Sequence, residues 1–484
     1  MSDHITSHTD NTASEASGLR KGVLRTPDVF MQAIGHMAPA MGTVTSLAFI
    51  GSLAGITAPL AYLIAGVACL FVAVTLTQLA RKIAGAGGFF SYATHAFGAR
   101  TGFMTSWAYF LYDPLVTGAL FAFAGSVTHD TLLHAYGWAP PWWAFVVAGT
   151  AVVGFLSWFA VSLSARVLLI MVSIEAIIFG ALALTGAFNP GPGGFSLEPL
   201  NPSNADQNGL YLAVIFTILS YTGFESVAPL AEETHDPRRV LPTVILGAVI
   251  LAIVYYTLEV WGIVMGWGID DINSFASSSA PIFELAERLW GGLWVLVLIA
   301  LITSVLALCM STHSAATRVF FSMGRVGALP GRLAEVHPRH QTPTNAIILQ
   351  TCLTLASGLG ISFLVGPQEN FFLVGLMLTL SLILIYSLAN VAVIRLYTTR
   401  FRSDFNAALH VILPIAGTLM LFWVGYKSIE DLHIFNPQNY LDWAPALVGG
   451  WLLLGAVIML ALKLTGRNSW LTHATDRLEH ELES

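Results

Sequence analysis

Tyr221-Thr-Gly-Phe-Glu225 stands inside an otherwise apolar stretch and is followed by Glu232-Glu-Thr-His-Asp-Pro-Arg-Arg239. A glycine and a carboxylate at such a position weaken a helix. Backbone groups freed at membrane depth persist only where they line a protein cavity or a water-filled path. A second interruption, Gly35-His-Met-Ala-Pro39-Ala-Met-Gly42, lies in the first apolar stretch. Its proline removes a backbone donor and clashes with the preceding turn, which kinks or breaks a helix.

The surrounding chain is a membrane protein by composition. Of 484 residues, 55% are hydrophobic and only 10% charged. Apolar runs of the roughly 20 residues needed to cross hydrocarbon recur along nearly the whole length. Twelve are read, near 28–54, 57–80, 102–128, 142–163, 167–188, 209–231, 241–267, 284–316, 343–365, 371–394, 409–427 and 442–463. Numbering the loops alternately puts all 21 Lys and Arg on one side except Arg288 and Lys427. That asymmetry predicts cytoplasmic termini. Residues 1–24 and 467–484 read as polar cytoplasmic tails, the first expected to be disordered and without a signal-peptide core. The connections 81–100 and 317–342 mix basic residues with glycine, as interfacial helices do.

Interrupted spans at corresponding positions of two halves point to a transporter binding site. Breaks in spans one and six imply a five-plus-five repeat whose halves are inverted, because five is odd. Either break alone reads equally well as close packing or a plain kink.

Three further segments carry a family resemblance: Ala86-Gly-Gly-Phe-Phe-Ser-Tyr92 with Phe97-Gly-Ala-Arg-Thr-Gly-Phe103, Tyr221 to Glu225 with Ala231 to Pro242, and Thr317-Arg-Val-Phe-Phe-Ser-Met-Gly-Arg325 with Gly327-Ala-Leu-Pro330. Together they make the chain resemble the amino acid–polyamine–organocation superfamily of permeases over almost its entire length. The resemblance implies an all-α membrane protein with the leucine-transporter-like architecture. Its twelve transmembrane helices would form inverted repeats over 25–188 and 208–398, with broken helices one and six and two peripheral helices over 409–466. It also implies import of an amino acid across the cell membrane by alternating access. One departure stands out: where many members have a glycine-serine-glycine signature, this chain has Pro39-Ala40-Met41 before Gly42. A reshaped carboxylate end of the pocket follows.

The candidate substrate site comprises Met37, Ala38, Pro39, Ala40, Met41 and Gly42, with Asp113, Tyr221, Thr222, Gly223 and Phe224. Free amides at Ala40, Met41 and Gly42 suit a carboxylate, aided by the positive end of the helix dipole. Carbonyls around Tyr221 to Gly223 suit an ammonium group, and Tyr221 and Phe224 are candidate walls or gates. Three acids are read within spans. Asp113, near mid-membrane, either touches substrate or sits at a kink before Pro114. Glu225 reads as scaffold at the helix break. Glu175, about 13 Å into span five from Arg166, has no basic neighbour in its span. It is the candidate for exchanging a proton during the cycle, or else a structural carboxyl joining helices.

Sodium is the alternative coupling ion, through Thr303, Ser304, Ser311 and Thr312 in span eight. Cys69, Cys309 and Cys352 match no metal or redox spacing, and the 14 His show no metal-ligand pattern. Among them His36, beside the first break, is the one worth testing. Gly85-Ala-Gly-Gly88 lacks the lysine and the strand–turn–helix setting of a phosphate cradle. No cofactor, metal, nucleic-acid partner or enzymatic constellation is therefore expected. Three readings remain: amino acid import coupled to protons, import or exchange of a polyamine or other organic amine, and a transporter-like sensor.

Overall fold

The computed structural model describes residues 19–465 except 160, 279, 431, 435 and 436. Residues 1–18 of the expected N-terminal tail, and the C-terminal tail over 467–484, lie outside the described residues. Within them the chain is helical, with one isolated bridge, between Leu24 and Thr234. Ten stretches are long and apolar enough to cross a membrane, and α7 (Trp142–Trp158) is a shorter apolar helix. Their outward faces carry leucines and aromatics such as Phe155, Ile177, Leu419 and Leu453, each well exposed. Such a surface is stable only in lipid.

Three of the apolar stretches are broken. The first is α1 (Thr26–Met37) followed by α2 (Pro39–Ala54), and Ala38 between them has φ 46°. Pro39 dictates this, since it cannot donate to the turn before it and forces the preceding residue out of the α region. Next come α3 (Ala58–Ala80), α4 (Phe89–Phe97), α5 (Ala99–Tyr109) and α6 (Asp113–Tyr136). The α5–α6 break falls just before Asp113-Pro114 for the same reason. After α8 (Val161–Phe188), α9 (Gln207–Tyr221) ends at Thr222-Gly223 and continues as a 3-10 helix over Phe224–Glu233. Gly223 has φ 117°, which only glycine adopts without strain.

The remaining elements are α10 (Pro237–Trp267), α11 (Ile272–Ser277), α12 (Pro281–Trp290), α13 (Val295–Arg325) and α14 (Thr344–Leu355). A π-helical turn leads to α15 (Ser362–Val365), followed by α16 (Pro367–Thr399), α17 (Leu413–Ile429) and α18 (Ala444–Leu464). The core is built where α1 packs on α8, α10, α13 and the 3-10 helix, with α10 also against α3 and α2 against α9. α18 lies outside, held to α5 and α16. There Trp107 and Trp451 stack at 4.5 Å, and each indole donates to the other's backbone carbonyl at 2.7 Å.

Four local expectations change. α4 is not an interfacial helix: Phe89 to Thr94 are buried inside the bundle. Residues 317–325 continue α13 rather than forming a connection. The eighth span begins at Val295, because Glu284 to Trp290 belong to the separate amphipathic α12. Leu19 and Leu24, in the stretch expected to be disordered, are buried.

Candidate functional site

The two breaks meet through one contact. A Cβ on Gly223 would stand 2.4 Å from the His36 ring, so glycine is required there for room as well as for φ. His36 Nε2 lies 2.9 Å from the Tyr112 hydroxyl and 3.3 Å from Asp113 Oδ1. Asp113 Oδ1 makes no well-formed hydrogen bond. Tyr109 donates to the other Asp113 oxygen, and Tyr112 donates to Glu225 Oε1 at 3.0 Å. Glu225 Oε2 accepts the amide of Gly223 at 2.9 Å, which satisfies a donor the break would leave bare. The ring of Tyr386 stacks on Phe224.

These groups surround a small void lined by Gly87, Phe89, Phe90, Ser106, Tyr109, Tyr112, Asp113, Glu225, Ser226, Pro229 and Val319. It has room for about one water molecule, so a substrate enters only when the side chains part. Its polar side chains are two carboxylates and four hydroxyls, a lining suited to a positively charged guest.

The start of α2 is organised differently from the expectation. Ala40 donates its amide to Glu175 Oε2 at 3.2 Å, and Met41 donates to the Ser304 hydroxyl at 3.0 Å. Gly42 bonds Ala38 within the helix at 2.9 Å. The amides assigned to a substrate carboxylate therefore have partners inside the protein. The carbonyl of Met37, left free at the break because the Met41 amide turns to Ser304, accepts the Tyr256 hydroxyl at 2.9 Å.

Tyr221 is buried behind the site and donates to the Tyr62 carbonyl at 2.8 Å, so it is not a wall of the void. Thr222 turns its hydroxyl back to Leu219 at 2.8 Å. The four span-eight hydroxyls do not converge. Thr303 bonds its own helix at Ile299 and Ala300, Ser304 holds Met41, and Thr312 meets Thr117 at 2.8 Å. Ser311 lies two turns from Ser304, and its hydroxyl makes no hydrogen bond within the protein. One sodium ion cannot reach all four. No cluster of metal-ligating side chains occurs among the described residues.

A further acid lies within the apolar stretches, beyond the three read from the sequence. Glu259 of α10 is buried and accepts Thr43 Oγ1 at 2.6 Å, one turn into α2 from Ala40. A lone carboxylate inside the run Tyr256-Thr-Leu-Glu259 was the available signal. Tyr109, Tyr112 and Tyr386 carried no comparable mark, since aromatics are common in any membrane core.

On the terminus-proximal side the 3-10 helix is locked. Glu233 and Arg318 form a buried pair at 2.8 Å, and Arg325 meets Glu232 at 2.5 Å. Glu232 also accepts the Ala86 amide at 3.2 Å. Leu24 donates to the Glu233 carbonyl at 2.9 Å and accepts from the His235 amide at 2.8 Å.

Three broken helices, a polar cluster at their junction and a lipid-facing exterior define a multi-pass membrane protein with a candidate site at its centre. The family profile described as Amino acid permease matches residues 28–469. The chain belongs to that family, whose members here are transporters and not enzymes. It is 27% identical over 453 residues to the low-affinity putrescine importer PlaP of Escherichia coli K12, covering 88% of this chain and 92% of that protein. It is 26% identical to the chloroplastic cationic amino acid transporter 7 of Arabidopsis thaliana, over 91% of this chain and 74% of the relative. It is 25% identical to the branched-chain amino acid permease BcaP of Bacillus subtilis, over 59% and 63%.

Proposed function

We propose that the protein is a proton-coupled secondary importer of an organic amine, a diamine being the best fit. The observation that carries this is the Ala40 amide held by Glu175. A side-chain carboxylate takes the place that a substrate carboxylate would need at the positive end of α2. The central void offers Asp113 and Glu225 instead, and a buried carboxylate is stabilised by a cation brought to it. The resemblance to a putrescine importer supports the same substrate class. Amino acid import is the second reading, favoured by the family and by the amino acid permeases among the relatives. In that reading Glu175 gives up the amides when it is protonated, and a substrate carboxylate replaces it.

Glu175 is the proposed coupling group. It is fully buried, and one of its oxygens makes no hydrogen bond within the protein. The proposed frame is twelve crossings in two inverted five-helix repeats, with both termini cytoplasmic in the cell membrane, working by alternating access. The basic-residue asymmetry and the paired breaks support it.

Uptake into proteoliposomes tests the reading. Putrescine and related diamines are expected to compete for the site, with α-amino acids competing weakly. Competition by amino acids alone overturns the amine assignment. An imposed proton gradient is expected to drive accumulation when choline replaces sodium, and strict dependence on sodium overturns proton coupling. Glu175→Gln is expected to abolish that accumulation and to keep substrate counterflow. Undiminished proton-driven uptake in this variant removes Glu175 from the role.

A further inference from the structure

A second cavity lies between α1, α8, α13 and the 3-10 helix, lined by residues that include Asp28, Gln32, Leu168, Met310 and Ser314. It is separate from the central void and shares no lining residue with it. Its volume suits one or two water molecules, and its polar lining gives them partners. Asp28 marks its outer end, near the start of α1, and is partly exposed.

Above the cavity a file of polar groups runs toward Glu175. Gln32 is buried and donates to the Ser311 carbonyl at 2.9 Å. The Ser311 hydroxyl is completely buried and makes no hydrogen bond within the protein. It faces Gly35, where an added Cβ would stand 3.2 Å from Ser311 Oγ, 2.7 Å from Leu168 and 3.2 Å from Val172. Val172 is one turn below Glu175 on α8, and the second Glu175 oxygen is the other unpartnered buried polar atom on this line. From Leu168 to Glu175 is seven residues, about 10 Å of helix.

We propose that this file is the route by which Glu175 exchanges its proton with the terminus-proximal side, and that Leu168 and Val172 closed over Gly35 are its gate. The inference rests on the reading of Glu175 as the coupling carboxyl. When α1 moves away from α8, water enters from the cavity past Gly35 and reaches the Ser311 hydroxyl. The water extends past Val172 to Glu175. The Glu175 O–H bond breaks, its proton passes to the adjacent water and on through the Ser311 hydroxyl, which releases its own proton as it accepts one, and hydronium forms at the cavity. The carboxylate left behind remains on the Ala40 amide at the positive end of α2. The groups that face Glu175 are Ser304 on α13 and Tyr255, Tyr256 and Glu259 on α10. No basic group appears among those contacts, so an ionised Glu175 has no cation to retain it. His36 on α1 is engaged with Tyr112 and Asp113.

The test uses the full chain in proteoliposomes, with Ser311→Ala compared with wild type and Glu175→Gln. Net uptake driven by a proton gradient is expected to slow about tenfold in Ser311→Ala, the effect of one lost relay hydrogen bond. Counterflow, in which the carrier returns loaded and Glu175 keeps its proton, is expected to stay at the wild-type rate. Wild-type rates in both assays overturn the route, and so does an equal loss in both. If Glu175→Gln itself retains proton-driven uptake, the failure lies with Glu175 and not with the path. A second measurement does not depend on the alanine variant: Ser314→Cys in a Cys352→Ser background, probed with a methanethiosulfonate ethylammonium reagent. Modification from the side bearing the termini is expected under turnover. Protection from that side under turnover overturns the proposal.

Discussion

At the residue scale, Gly223 leaves no room for a side chain. Its φ of 117° is closed to other residues at a cost of about 1–2 kcal/mol, and the His36 ring fills the space where a Cβ would go. Gly223→Ala is expected to push His36 off Asp113 and Tyr112 and to reduce uptake at least about tenfold. Transport assays beside thermal unfolding in detergent check this, and a variant with normal uptake removes the His36 contact from the site. Asp113 belongs to the same junction. Its replacement by Asn keeps the shape and removes the charge, so amine affinity is expected to fall while folding survives. A binding isotherm for a diamine measures it, and an unchanged Kd would exclude Asp113 from recognition.

At the element scale, α2 is held from two sides by carboxyl groups on different helices, Glu175 at Ala40 and Glu259 at Thr43. Glu259→Ala leaves the Thr43 hydroxyl buried without its acceptor, expected to cost about 1–3 kcal/mol and to lower the melting temperature. Glu259→Gln keeps an acceptor and is expected to recover most of that loss. Equal melting of the two variants would mean the bond contributes nothing. The sequence made the breaks legible because Pro39, Pro114 and Gly223 each forbid a regular helix on local grounds. It also pointed to Glu175, since an acid in an apolar run stands out. Which groups would take the amides of Ala40 and Met41 was not legible. Those bonds span 135 and 263 residues of chain and depend on how α8 and α13 pack against α2. The scattering of the α13 hydroxyls has the same origin: composition supplied donors and acceptors, and only helix rotation decides where they face.

At the scale of the whole molecule, the exterior is lipid-facing and two ion pairs, Arg318–Glu233 and Arg325–Glu232, lie where the 3-10 helix meets α13. Arg318 and Glu233 are both buried, so removing one partner strands the other. Arg318→Met is expected to destabilise the fold by about 3–5 kcal/mol. Arg318→Met combined with Glu233→Met is expected to recover much of it, because no charge is then left unpaired. Thermal unfolding of single and double variants checks this, and additive losses would show that the pair does not act as a unit.

The bridge between Leu24 and the Glu233–His235 segment differs from these pairs in what it is made of. Both of its hydrogen bonds use main-chain atoms, so salt does not screen them and almost no exchange of side chains removes them. A latch written in backbone stays in place while the residues around it vary. The pairing of the two segments is therefore independent of the side chains that line the central void. Proline at position 24 or at position 235 would each delete one of its two donors.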